Sequence, residues 1–371
     1  MGRPKAKNPK AKRLALKKGL AVETRESKFS IDQILEKAQE NLDQYDYEMA
    51  QKFCQRALEM NPDHAKALEL TSTLLLEAGE VEDAKHCLGR AITVQPDEGF
   101  SKYFSMAQLL GGQEALELYR KGIEVLTQAR DKATEEAEAK DLTRDLSNAY
   151  CSMAELFMTD LCDETEAEED TLRCIRSALD VDKRNPEAFQ TKARYLLVRE
   201  KFEEAKDTMK QSLELWLPAY QGVLENKLEV VDFDPVEVCS LLYTTRIGTS
   251  KMLIEMEMWE EAIQVLEGLL EEDDSCVETW YLLGWLNKLR AMLPDGEVGY
   301  NANARFYLQK AKKVHTMNPT QDADMISHID EILVELGPNP NPDEDEDDEA
   351  ENWEDVESSS DEEDEVANME S

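Results

Sequence analysis

No run of about 18 apolar residues occurs in this 371-residue chain, so no membrane-spanning helix is expected. The first residues are basic rather than apolar, and no secretory leader is expected from them. Met1-Gly2 lacks the hydroxyl residue that N-myristoylation wants at position 6, where Ala6 stands. The seven cysteines contain no CxxC pair, and their odd, scattered arrangement fits reduced thiols of the cytosol or nucleus. Histidine is scarce: His64, His86, His315 and His328 have no partner at metal-ligand spacing. HExxH, GxSxG, GxGxxG and GxxxxGK[ST] are all missing. His86 and Cys87 are neighbours, but adjacent helix residues point about 100° apart, so they do not form a thiolate pair. Cys54, Cys151 and Cys174 lie on apolar helical stretches and read as small core residues. These absences point away from an enzyme, and neither a metal nor a cofactor is expected.

Acid, by contrast, is abundant. Asp and Glu number 81 against 42 Lys and Arg, a net charge of -39. Residues 1–18 hold eight bases and no acid, and residues 343–371 hold seventeen acids and no base. The span between them, 29–342, still carries about -30. A body so negative repels phosphate backbones, so direct nucleic-acid binding is not expected and a basic partner is. The arm (1–28, with Pro4 and Pro9 among lysines) and the tail (338–371, after Pro338, Pro340 and Pro342) are too polar to offset the cost of ordering a chain and read as disordered. The body between them, 29–337, is rich in Ala, Leu, Glu, Lys and Met at three- and four-residue spacing and reads as helical almost throughout. A β-branched patch at Val230 and Val231 reads as a loop.

The body repeats itself. Ala50, Ala57 and Pro62 recur 34 residues later as Ala84, Ala91 and Pro96. Small residues at fixed offsets let paired helices cross closely, and the proline ends each pair. Related sets follow: Ala107, Ala115 and Gly122; Tyr150, Ala154, Ala178 and Pro186; Ala193, Ala205 and Pro218; Ser250 and Ala262; then Trp280, Gly284, Ala304, Ala311 and Pro319. Polar or irregular insertions interrupt them at 127–145, 163–170, 219–240 and 294–303. Met325, Ile329, Ile332, Leu333 and Leu336 share one face of a closing helix. The 34-residue period resembles the tetratricopeptide repeat. The expected fold is all-α: a tetratricopeptide-repeat solenoid of about seven helix pairs, with a C-terminal capping helix and disordered charged tails.

In tetratricopeptide proteins, repeat positions 2, 5, 9 and 12 of the first helix line a concave groove. The resemblance places Lys66, Glu69 and Thr73 there in the second repeat, and Asn148, Cys151 and Glu155 in the fourth. The fifth contributes Glu187, Gln190 and Arg194, and the seventh Glu278, Tyr281, Trp285 and Lys288. The Lys, Asn and Arg clamp with which heat-shock co-chaperones grip a C-terminal carboxylate cannot be built, because Leu35, Gln39 and Leu70 stand at the corresponding places. Glu69, Glu155, Glu187, Glu278, Tyr281 and Trp285 are the candidate client-binding residues. Tyr281 and Trp285, four residues apart, share a helical face suited to Lys or Arg through cation–π contact. They suit equally the packing between the seventh repeat and the cap, while Trp280 should face the partner helix.

The arm sequence RPKAKNPKAKR resembles a nuclear import signal, which would make an import receptor a partner and place the chain in both cytoplasm and nucleus; contact with ribosomal RNA and folding back on the acidic body are the other uses of such a basic arm. Trp353 sits among carboxylates in the tail, and Ser358, Ser359 and Ser360 each have an acid three residues on, resembling acidophilic-kinase sites. The Lys-rich arm, the irregular acidic repeats and the Pro-then-acid tail together resemble the dedicated assembly chaperones of large-subunit ribosomal protein four. That resemblance implies a solenoid that holds the long basic internal loop of this ribosomal protein as it is made and escorts it to the pre-ribosome. A structural adaptor in a larger complex and an acidic histone-type chaperone are the alternatives.

Overall fold

The structure, a computed structural model, describes residues 29–225, 239, 241–294, 296, 298–320 and 322–337. The basic arm, the patch at Val230 and Val231 and the acidic tail lie outside the described residues. Among those described there are sixteen α-helices and no strand. Chain contacts separate two compact units, divided in sequence between Pro96 and Asp97, so the expected continuous body of 29–337 is described as two parts.

The first unit holds two helix pairs, α1 (Ile31–Asp43) with α2 (Tyr47–Met60) and α3 (Ala65–Glu77) with α4 (Val81–Val94). Ser30 starts α1 with a capping box: its hydroxyl accepts from the Gln33 N–H at 3.2 Å, and its own N–H donates to the Gln33 side chain at 3.0 Å. Such reciprocal caps satisfy two of the four N–H groups a helix leaves orphaned. Ala38, Ala50, Ala57, Ala84 and Ala91 are all buried where helices cross, as the period requires. The turn inside each pair needs one left-handed residue, supplied by Tyr45 (φ 62°) and, 34 positions on, by Gly79 (φ 77°).

The second unit opens with α5 (Ser101–Leu109) and α6 (Gly112–Lys132). Gly122 is obligatory there, because a Cβ would lie 2.4 Å from the Phe104 ring. Next come α7 (Glu136–Met158) with α8 (Ala167–Val181), and α9 (Pro186–Val198) with α10 (Phe202–Leu213). The polar stretch 127–145 proves to be the end of one helix and the start of the next, broken at residues 133–135. Within 163–170, turns give way to α8 at Ala167.

Pro218 does not end a repeat as expected. It occupies the first turn of α11 (Leu217–Glu225), where a missing N–H costs nothing. Tyr220 on that helix packs into the core. α12 (Tyr243–Glu255) pairs with α13 (Trp259–Glu272), and α14 (Val277–Ala291) with α15 (Val298–Met317). Gly284 permits this last approach, since a Cβ would lie 2.6 Å from Leu308 Cγ. The expected insertion 294–303 is shorter than the sequence suggested: α15 already begins at Val298, and the Arg290 guanidinium donates to the Tyr300 hydroxyl at 2.6 Å while stacking on its ring. α16 (Ala323–Leu336) closes the unit, burying Met325, Ile329 and Ile332. Seven pairs, α11 and a cap thus account for all sixteen helices.

Candidate functional site

The first helices of the last two pairs and the cap bound an open cleft of about 780 Å³. α12 contributes Lys251, Ile254 and Glu255, and the following turn contributes Glu257 in a left-handed conformation (φ 57°). Trp259 opens α13, while α14 presents Glu278, Tyr281 and Trp285. Asp322, Asp324 and His328 come from the cap, where Asp322 also holds the helix start by accepting from the Met325 N–H at 2.9 Å. The walls carry five carboxylates and one amine. That amine is already engaged, since Lys251 Nζ lies 2.5 Å from Glu278. Four carboxylates on a partly apolar, aromatic wall make a surface for a cation with an apolar stem, which is the chemistry of Lys and Arg.

Tyr281 and Trp285 do both things the sequence allowed. They line the cleft, and they also hold the cap: the Tyr281 hydroxyl and His328 Nδ1 are 2.8 Å apart, and Trp285 meets the His328 ring edge-on at 4.8 Å between centroids. Burial raises the Tyr281 phenol pKa, with Asp322 and Glu278 adding to it, so the hydroxyl stays protonated. Trp280 points the other way, toward Tyr307 of α15 (6.2 Å between centroids), and its indole N–H donates to the Asp274 carbonyl at 2.7 Å. Lys288, placed in the groove by repeat phase, instead reaches the cap and pairs with Glu335 at 3.1 Å.

A second acidic group lies on α7 and α9. Glu155 pairs with Arg194 across the two helices. The Arg194 guanidinium extends toward α12 and comes within ordinary contact distance of Gly248. Glu187 is half-buried beside them, and its carboxyl is pushed up to about 7, first by burial and then by the negative Glu155. Cys151 is buried between these acids, and its thiol is raised by burial above all, which makes it inert as a nucleophile. Gln190, one turn on from Glu187, is buried with its amide Nε2 lacking a protein acceptor. Glu69 belongs to the first unit, half-buried on α3.

The structure thus brings Glu278, Tyr281 and Trp285 into one cleft and Glu155 and Glu187 into a neighbourhood on α7 and α9. Repeat phase missed most of the first cleft. Counting the same positions through the sixth repeat names Lys251 and Ile254, next to Glu255, so that signal was present. Asp322, Asp324 and His328 stand on the cap, which follows no repeat phase. No cluster of three or more metal-ligating side chains occurs among the described residues, and no described helix is long and apolar enough to cross a membrane.

A sequence model of the tetratricopeptide repeat matches residues 41–108, from the end of α1 through the second helix pair and into the third. A Schizosaccharomyces pombe protein named probable assembly chaperone of rpl4 is 33% identical over 320 residues, covering 82% of this chain and 90% of that protein. An Emericella nidulans protein of the same name is 25% identical over 404 residues, 98% of this chain and 99% of the relative. The solved structure of the assembly chaperone of RpL4, Acl4 (residues 1–338), superposes with a TM-score of 0.56 at 27% identity, over 70% of this chain and 96% of that one. Repeat architecture, charge and near full-length similarity agree, and the chain belongs to the family of assembly chaperones of rpl4.

Proposed function

We propose that this chain binds newly made rpl4, shields its basic surface and delivers it for assembly into the large ribosomal subunit, working by binding rather than by catalysis. The observation that carries the reading is the cleft between α12, α14 and the cap, where five carboxylates and three aromatic rings meet one already paired amine. A Lys- or Arg-rich segment laid there exchanges water for carboxylates at the charged head and for Trp259, Tyr281 and Trp285 along the stem, at roughly 0.5–2 kcal/mol per cation–π contact. The basic arm supports action in both cytoplasm and nucleus, with an import receptor as a second partner.

The test is titration of rpl4 into the full chain, and into Glu255→Lys/Glu278→Lys, at increasing salt. The screening length falls from about 10 Å at 0.1 M to about 3 Å at 1 M, so affinity should drop steeply over that range and be lower in the double variant throughout. Affinity indifferent to salt would reject an electrostatic grip and favour a structural adaptor. Equal affinity for histones and for rpl4 would favour a general acidic chaperone.

A further inference from the structure

The first unit carries a groove that the proposed client cleft does not use. It lies between α2 and α3, has a volume of about 700 Å³, and is floored by Cys54, Leu58, Leu74 and Leu75. Glu48, Glu59, Glu77 and Glu80 rim it, and no Lys or Arg lines it. One of the four acids, Glu59, is met by Arg56 at 3.1 Å. Tyr47 forms an exposed wall, edge-on to Tyr45 at 6.3 Å. The groove opens on a different face of α3 from Glu69 and Thr73: at 100° per residue, Thr71 and Thr73 point about 160° apart. An apolar floor inside a negative rim fits a segment that alternates apolar side chains with bases.

The chain itself contains such a segment. Residues 12–22 read KRLALKKGLAV, with Lys12, Arg13, Lys17 and Lys18 around Leu14, Leu16, Leu20 and Val22. We propose that this segment of the arm docks in the α2–α3 groove, leucines on the floor and lysines on the rim. The tether makes it the favoured occupant. Phe29 packs on the core of the first unit and Ser30 caps α1, so the arm enters at a fixed point. The seven steps from Val22 to Phe29 span at most about 25 Å when extended. Phe29 and Leu58, which floors the groove, pack against the same apolar cluster of the first unit, so the near end of the groove is within reach. Short tethers give effective concentrations in the millimolar range, which a free partner must match. A docked arm is withdrawn from the acidic cleft of the second unit, where its charge would make it a competitor of any basic client.

The experiment uses the full chain and a carbodiimide, which joins a lysine amine to a carboxylate with no spacer. An equal mixture of ¹⁴N- and ¹⁵N-labelled chains separates products within one chain from products between chains. The expected products are within-chain, linking Lys12, Lys17 or Lys18 to Glu48, Glu77 or Glu80. Leu16→Asp/Leu20→Asp should reduce them by about tenfold, since it removes apolar groups from the floor contact. Glu48→Lys/Glu77→Lys, changing two exposed rim residues, should also remove the remaining product at Glu80. Mixed-isotope products would assign the groove to a second copy and overturn the proposal. Products on Glu255, Glu278, Asp322 or Asp324 would place the arm in the client cleft, and absence of any product would show it undocked; either result overturns it too.

Discussion

Glu272→Ala should be among the most damaging single changes in the second unit. Arg246 on α12 is 2% exposed, and its partner Glu272, at the end of α13, is nearly as buried. Two guanidinium N–H groups donate to the two carboxylate oxygens, one of them at 2.8 Å. The Tyr220 hydroxyl from α11 donates to the same carboxylate, and the Tyr220 and Tyr243 rings flank the guanidinium at 5.1 and 5.9 Å. Arg246 Nε has no acceptor, so the site is already one bond short. Removing the carboxylate leaves a buried cation with rings but no counter-ion, at about 3–5 kcal/mol. For a unit of this size about 1 kcal/mol moves Tm by 2–4 °C, so a fall of about 10 °C is expected.

Calorimetry of the full chain measures this, and a double-mutant cycle tests the cause. Arg246→Met/Glu272→Leu removes the charge and the anion together and should recover most of the loss, because a buried ion pair and an apolar pair of like volume are often comparable. If the double variant is as unstable as the sum of the two single variants, the ion pair is not the reason. A Tm within 2 °C of the parent for Glu272→Ala would refute the claim that α11 and the sixth repeat are joined by this contact. The matter bears on function, since α12 carries Lys251 and Glu255 into the cleft.

Three further outcomes are expected. Trp285→Ala should weaken rpl4 binding by about 1–3 kcal/mol, within the range of aromatic hot spots, and also lower Tm because the ring meets His328 of the cap, whereas Trp280→Ala, packed on Tyr307, should lower Tm and spare binding; the two titrations, not the melts, separate grip from packing. Glu200→Gly should raise stability by up to about 1 kcal/mol in urea melts, because Glu200 is exposed and held at φ 57°, where only glycine is unstrained. Glu187 ionises at about 7 in the fold and at its ordinary 4.5 when unfolded, so its contribution is complete below pH 4.5 and is lost as pH rises through 7; Glu187→Gln should therefore stabilise the chain at pH 8 and matter little at pH 4.5, and an equal effect at both would remove the premise.

The solenoid was legible because its rule is steric and local. Ala38, Ala50 and Ala57 are buried for the same reason that Ala84 and Ala91 are, and the 34-residue offset between the two sets follows from that. Gly284 and Gly122 obey the same logic at closer approach. What escaped was set by contacts of long sequence separation. Arg246 and Glu272, 26 residues apart, show no period, and Tyr220 sits in the segment that looked least regular. The cap residues Asp322, Asp324 and His328 have no counterpart in any earlier repeat to compare with. Tyr281 and Trp285 could be placed on one helical face from their spacing, but that the same rings serve both cleft and cap is a property of where α16 comes to rest.

The acid excess has an energetic consequence for the unbound chain. A body with 62 acids and 32 bases repels itself, and among the described residues most ion pairs are exposed and worth about 0–1 kcal/mol each. Salt therefore acts on the two states in opposite directions. It screens self-repulsion and should raise the Tm of the free chain between 0.1 and 1 M, while over the same range it weakens the grip on a basic client. Client binding supplies the missing counter-charge, so at low salt it should raise Tm by more than at high salt. Scanning calorimetry of the chain with and without rpl4 across that range reads both trends. A free chain that melts lower as salt rises would mean that its ion pairs outweigh its repulsion, and the acid surface would then be a stabilising network rather than a site held at a cost for a cationic partner.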